Sequence, residues 1–234
     1  MLTKNRTFLI TYLSVFCVIQ AVLGYFVQTT ASTACGIISL SIIVLSFATV
    51  IIFYKQSILN LLTVIALCFT LIADFFLSNL IQFENIKVFA MLSFSVTQLC
   101  YFFRLYQNQK YTREKRIHLI LRSFLVVVVL VVTIIVLKEK VNALALISMF
   151  YFTNLLLNVI YSIIQIKIAP LFAAGLILFA LCDVCVGFFM MPDFLPIPEG
   201  SFIDVINKTP LNLPWVFYTP SQTLIAVDIA IKND

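Results

Sequence analysis

The stretch "LIADFFLSNL", Leu71–Leu80, decides how the chain reads. Asp74 is its only charged residue, and everything before Ser78 apart from that acid is apolar. Followed back to Ile58, the run holds no second charge. It has the length of about 20 residues that a helix needs to cross a bilayer. A carboxyl inside such a span costs about 2.5–3.5 kcal/mol even on lenient insertion scales. Such a cost points to function.

The rest of the chain has the same character. Of 234 residues, 62% are hydrophobic and 11% are charged, with a mean hydropathy of +1.11. An ordinary soluble domain is about half apolar and about a quarter charged. Eight segments qualify as spans, near 7–27, 33–53, 58–80, 87–107, 118–137, 141–164, 170–191 and 211–231. Lipid offers backbone groups no partners, so the spans are expected to be helices. The expected fold is all-α, a polytopic bundle of about eight transmembrane helices. Residues 1–234 read as a single integral membrane domain, because the longest hydrophilic gap, 192–211, is too short for a core of its own. The first apolar run exceeds a signal-peptide core and reads as a retained helix.

Charge sets the expected topology. Lys4, Arg6, Lys55, Arg104, Lys110, Arg113, Lys115, Arg116, Arg122, Lys167 and Lys232 fall on one side, and Lys87, Lys138, Lys140 and Lys208 on the other. The positive-inside rule makes the richer side cytoplasmic and puts both termini there. In a bacterium the membrane would be the plasma membrane. The net charge of +5 is thus explained without nucleic acid. The six cysteines, mostly inside apolar runs, read as small core residues.

Residues three and four apart share a helix face. Thr63, Thr70, Asp74 and Ser78 form one polar stripe, and Gln98, Tyr101 and Arg104 another. Tyr151, Asn154, Asn158, Tyr161 and Gln165 form the longest, and Trp215, Tyr218 and Gln222 line up near the end. Asp183 stands alone in the seventh span, while the fifth, "FLVVVVLVVTIIVL", has no polar face and should meet lipid. The third, fourth, sixth, seventh and eighth spans are therefore expected to surround a polar interior. Asp74 and Asp183 fall toward the same outer half, and Asp228, near the inner end, is expected to reach water. Polar stripes also tie helices together without further function, at about 0.6 kcal/mol per bond. "FTLIADFFL" and "LFALCDVCV" each put an acid late in a span, and each next span carries a glutamine, in "FSVTQLCYF" and "FYTPSQTLI". This faint internal repeat suggests two four-helix halves facing a central cavity.

These same residues resemble the YhhN family, eight-helix membrane proteins that include lysoplasmalogenases. The matching stretches are "LIADFFL" at Asp74, "FSVTQLCYFFRL" at Gln98 and Tyr101, "LFALCDVCV" at Asp183, and "FYTPSQTLI" at Tyr218 and Gln222. The chain departs from the family pattern at Ala73, Cys182 and Ser221. The resemblance implies hydrolysis of the vinyl ether of a lysoplasmalogen, releasing a fatty aldehyde and a glycerophospho-headgroup.

That chemistry asks for one protonated carboxyl and one carboxylate, and two nearby acids in low dielectric do not both ionise. Asp74 and Asp183 are the expected catalytic pair. Gln98, Tyr101, Asn154, Asn158, Tyr218 and Gln222 are the expected substrate-binding residues. No cofactor is expected. No metal site is expected either: His118 is the only histidine, and Cys182 and Cys185 form a lone Cys-x-x-Cys. The partners are a lipid substrate and the membrane. A proton-coupled transporter using the two acids as a relay is the alternative, and the oligomeric state is not legible.

Overall fold

The computed structural model describes residues 2–29, 33–78, 80–109 and 111–232. Lys110 and the side chain of Lys4, both used above for topology, lie outside what is described. The elements are α1 (Leu2–Thr29), α2 (Thr33–Ile52), α3 (Ile58–Leu77), α4 (Ile86–Gln107), α5 (Thr112–Leu137), α6 (Ala143–Ile164), α7 (Pro170–Met190), α8 (Phe202–Asn207) and α9 (Leu213–Lys232). No strand occurs among the described residues.

Local sequence explains several ends. Ser57 caps α3 by accepting from the Leu59 amide at 3.3 Å, and Asn142 caps α6 by accepting from Ala145 at 2.8 Å. Pro170 opens α7, where its missing amide hydrogen is not needed. The hydrophilic gap before the last helix holds the short α8, capped by Ser201.

Among the described residues, seven helices, α1 to α7, are long and apolar enough to cross a membrane. The sequence suggested eight. The exception is α9, which has the length but carries Ser221, Gln222, Asp228 and Lys232. Ser221, Gln222 and Asp228 are buried inside the protein, so α9 is a bundle helix whose polar face is internal. The fifth span behaves as read over most of its length, with Val127, Val131 and Ile135 exposed.

The packing has a two-fold pattern. The two most extensive interfaces are α3 on α4 and α7 on α9. Likewise α2 packs on α3 and α6 on α7, while α1 packs on α2 and α5 on α6. Between the halves, α4 meets α6 and α9 meets α2. Helices α1–α4 therefore correspond to α5, α6, α7 and α9, with α8 inserted in the second half. Each half has an even number of helices, so both run in the same direction, as for repeats related by an axis along the membrane normal.

Two glycines allow close approaches within this frame. A Cβ on Gly36 would lie 2.3 Å from the Ser78 carbonyl oxygen, where α2 crosses the end of α3. A Cβ on Gly175 would lie 2.7 Å from Ile225 Cγ1 and 3.1 Å from the Ser221 carbonyl oxygen. Gly36→Ala and Gly175→Ala are each expected to lower stability by about 1–3 kcal/mol through overpacking. Gly187→Ala, which meets nothing within 4 Å, is expected to be nearly neutral. Thermal unfolding in detergent checks this, and equal melting temperatures for all three variants would contradict the packing described.

Candidate functional site

Asp74 sits on the last turn of α3 and Asp183 on the second half of α7. Because α3 and α7 run in the same direction, the two acids lie toward the same end of the bundle. Each is held by a tyrosine from another helix. The Tyr218 hydroxyl, on α9, donates to Asp74 Oδ2, and the Tyr151 hydroxyl, on α6, donates to Asp183 Oδ2. Tyr151, Tyr218 and Asp74 are buried, while Asp183 is half-buried.

An unbroken run of rings joins the two pairs. Centroids lie 5.5 Å apart for Tyr151 and Phe94, 6.0 Å for Phe94 and Phe179, and 5.6 Å for Phe179 and Tyr218. Trp215 extends it by standing edge-on to Tyr218 at 5.1 Å. The wall therefore links the two acid–tyrosine pairs through one continuous set of rings.

The two-fold explains the choice of tyrosines. Tyr218 stands four residues before Gln222 on α9, and Phe94 stands four before Gln98 on α4. Phe94 is thus the counterpart of Tyr218 and has no hydroxyl to give Asp183. Tyr151, packed against Phe94, supplies the phenol from α6 instead. Sequence reading saw Tyr151 in a polar stripe but assigned it no role, because its partner lies on a different helix.

One turn further in lie Gln98 and Gln222, both fully buried. Phe94 and Tyr218 both touch Phe179, and six residues beyond the glutamines Arg104 meets Asp228. Gln98 and Gln222 therefore stand at one level, about 6 Å below the aromatic wall at 1.5 Å per residue. Among the described residues, neither amide atom of Gln222 has a partner, and neither does Gln98 Nε2 or the hydroxyl of buried Tyr101. A buried polar group left unpaired costs about 1–3 kcal/mol. Four such atoms at this depth make a layer suited to water or the polar part of a ligand.

The next level is ionic. Arg104 Nη2 meets Asp228 Oδ2 at 2.5 Å, Arg104 Nη1 donates to Thr63 at 3.0 Å, and its guanidinium lies 3.8 Å over the Phe172 ring. Lys232 reaches the same Asp228 oxygen at 3.2 Å. This corrects two expectations. Asp228 does not reach water, being 3% exposed, and Arg104, 2% exposed, is not a solvated cation at the membrane edge. Each acquires its counter-ion from the equivalent position of the other half.

Arg122 is a third correction. Read as a cation of the basic inner side, it is buried between α4, α5 and α6. Its Nη1 donates to Asn154 Oδ1 and its Nη2 to Asn158 Oδ1, both at 2.6 Å, and it lies 4.2 Å over the Phe102 ring. Asn158 Nδ2 in turn donates to the Gln98 carbonyl at 2.8 Å and to Gln98 Oε1 at 3.0 Å. Asn154 and Asn158 therefore commit their oxygens to Arg122, and Asn158 also touches the amide layer through Gln98. Asp74, Asp183 and Tyr218 gather at the acid end, and Gln98, Tyr101 and Gln222 line the levels below.

A family model described as the YhhN family matches residues 28–227, which include these side chains apart from Asp228 and Lys232. No curated protein and no solved structure matches the chain.

Proposed function

We propose that this chain, which belongs to the YhhN family, is a membrane-embedded hydrolase that cleaves the vinyl-ether bond of lysoplasmalogen-type lysolipids. The family includes lysoplasmalogenase-like proteins. The observation that carries the reading is the pair of carboxyls from separate helices, each hydrogen-bonded by a buried tyrosine and joined by one aromatic wall.

In this reading one acid, as the carboxylic acid, protonates the vinyl carbon remote from the ether oxygen. The carbon bonded to that oxygen becomes an oxocarbenium ion. The other acid, ionised, stabilises this cation and takes a proton from the water that attacks it. The hemiacetal then collapses: the acid now ionised takes the proton of its hydroxyl, the bond from the former vinyl carbon to the glycerol oxygen breaks with its electron pair on that oxygen, and the acid now protonated gives its proton to that oxygen, so one water has been added in total. The products are a fatty aldehyde and a glycerol hydroxyl. Each tyrosine takes Oδ2 of its acid, which leaves Oδ1 to carry or receive the proton. The unpartnered Gln98 Nε2, the Gln222 amide and the Tyr101 hydroxyl would hold water or glycerol oxygens.

Tyr218→Phe and Tyr151→Phe test the support given to the acids. A hydrogen bond to a charged group is worth about 1.5–3 kcal/mol, so each variant is expected to lower kcat by about 10–100-fold. The check is aldehyde release at saturating lysoplasmalogen, with an ester lysolipid as control. Full activity in both variants would remove the tyrosines from the mechanism.

The two-fold arrangement of four-helix halves also fits a proton-coupled carrier. A carrier would show uptake driven by a pH gradient in vesicles and no aldehyde. Both termini face the cytoplasm in our reading, because Arg113, Lys115 and Arg116 stay at the start of α5 after Arg104 and Arg122 are removed from the count. Terminal reporter fusions test that orientation.

A further inference from the structure

Six helices close a ring. In the order α2, α3, α4, α6, α7 and α9, each packs on the next, and α9 packs back on α2. Helices α1 and α5 stand outside it. Four side-chain contacts cross this ring between helices that are not neighbours in it. Tyr218 on α9 reaches Asp74 on α3, and Arg104 on α4 reaches Asp228 on α9. Phe94 and Tyr101 on α4 reach Phe179 and Phe172 on α7, with ring centroids 6.0 Å and 5.3 Å apart. The contacts are stacked along the interior of the ring.

The two α4–α7 contacts stand seven residues apart on each helix, about 10 Å. Gln98 and Gln222 lie between these two aromatic levels. Gln98 turns Oε1 to Asn158 on α6, at 3.0 Å, and its Nε2 is unpartnered. The Gln222 amide bonds to nothing among the described residues, so the two glutamines do not close on each other. Side chains tilt toward the start of their helix, so Tyr101 leans from one turn below toward the glutamine level. Its hydroxyl is the fourth unpartnered atom there. Amides and a hydroxyl offer both donors and acceptors. A buried water makes about three hydrogen bonds, so one or two waters satisfy all four atoms. A lipid would have to part the Phe94–Phe179 contact to reach this layer. The layer adjoins the acids on the α3 side: Thr70, one turn below Asp74, bonds to Thr97 at 3.2 Å, and Thr97 precedes Gln98.

We propose that Gln98, Tyr101 and Gln222 form a bound-water site, and that this site supplies the water consumed at the acids. The site itself is independent of the hydrolase reading, and the use of its water rests on that reading. A lipid chain seated at the acids displaces bulk water, so hydrolysis there draws on water held by protein groups. The oxygen of that water bonds to the oxocarbenium carbon and one of its protons passes to the ionised acid, as in the step given above. Gln222 is a positioning residue: it holds the water and touches no atom of the lipid.

The test is X-ray hydroxyl-radical labelling of the full chain in lipid nanodiscs, read by mass spectrometry. Radicals formed from a bound water mark the side chains beside it. After correction for intrinsic reactivity, Tyr101 should label at least about tenfold faster than the equally buried Leu155 and Ile43, because buried water sits on polar atoms. Gln222→Leu should remove most of that labelling and melt no lower than the unaltered protein, since it deletes two unpartnered polar atoms. It should also lower kcat for aldehyde release by about tenfold, as loss of a hydrogen bond does, with KM for the lysolipid unchanged. Where Gln222→Leu does not fold, Gln222→Met takes its place, and labelling of the unaltered protein still decides the site. Tyr101 labelling at the rate of Leu155, or undiminished in the Gln222 variant, would overturn the site. Full kcat in a variant that has lost the label would overturn the use of its water in the reaction. Labelled Tyr101 in a protein that releases no aldehyde would sink the hydrolase reading and leave the water site standing.

Discussion

Asp74→Asn and Asp183→Asn should each cut aldehyde release from lysoplasmalogen by about 10²–10⁴-fold, the range that one general acid or base contributes. Asparagine keeps the shape of aspartate and retains an oxygen for the tyrosine hydroxyl, so both variants should insert and melt close to the unaltered protein. The two effects should not multiply, because acid and base act in one reaction and removal of either stops it. The KM for the lysolipid should change little, since the lost group acts on the transition state. A double variant that still releases aldehyde at more than a tenth of the normal rate would end the paired-acid mechanism. Loss of activity together with loss of fold would instead make the acids structural, and a melting curve on the same sample separates the two outcomes.

The largest expected effect on stability lies at the other end of the bundle. Asp228→Leu leaves Arg104 buried beside an apolar side chain, with Lys232 adding a second positive charge. Removing one partner of a buried ion pair costs about 3–5 kcal/mol. Arg104→Met should cost less, because Lys232 still reaches Asp228 at 3.2 Å. The double replacement Arg104→Met with Asp228→Leu should recover much of the loss, because no unpaired charge is left behind. Thermal unfolding of the four proteins in one detergent measures this. The account fails here if the three variants melt alike, or if the double variant shows the sum of the two single losses.

The spans were legible because apolar runs of bilayer length have few other uses, and their bounds agree with the helices within three residues except that α1 and α5 start earlier, at Leu2 and Thr112, because their polar first turns lie outside the apolar runs. The levels of the site were also legible. Asp74 and Asp183 sit late in helices of one direction, and Gln98 and Gln222 follow one turn below an aromatic residue. The paired partners were not. A cation near the end of a span can reach back to water or turn inward, and only the neighbouring helix decides. Arg104 turns inward because Asp228 stands at its level, and Arg122 because Asn154 and Asn158 do. One signal was present and unused: Arg104 follows Gln98 by six residues, as Asp228 follows Gln222. The opposite charges at equivalent places of the repeat foreshadow the ion pair. Tyr151 escaped for a related reason, since its link to Asp183 depends on α6 lying against α7. The last helix fell short of the apolar criterion because the residues that lower its hydropathy face the interior, where polar groups find partners rather than lipid.

The hydrolase reading stands or falls on where the proton goes. Purified protein should be given lysoplasmalogen in deuterium oxide, with an ester lysolipid in parallel, and the products read by mass spectrometry. The account predicts a fatty aldehyde carrying one deuterium on the carbon next to the carbonyl, and no fatty acid from the ester. Intact lysoplasmalogen, or aldehyde without that deuterium, would contradict it.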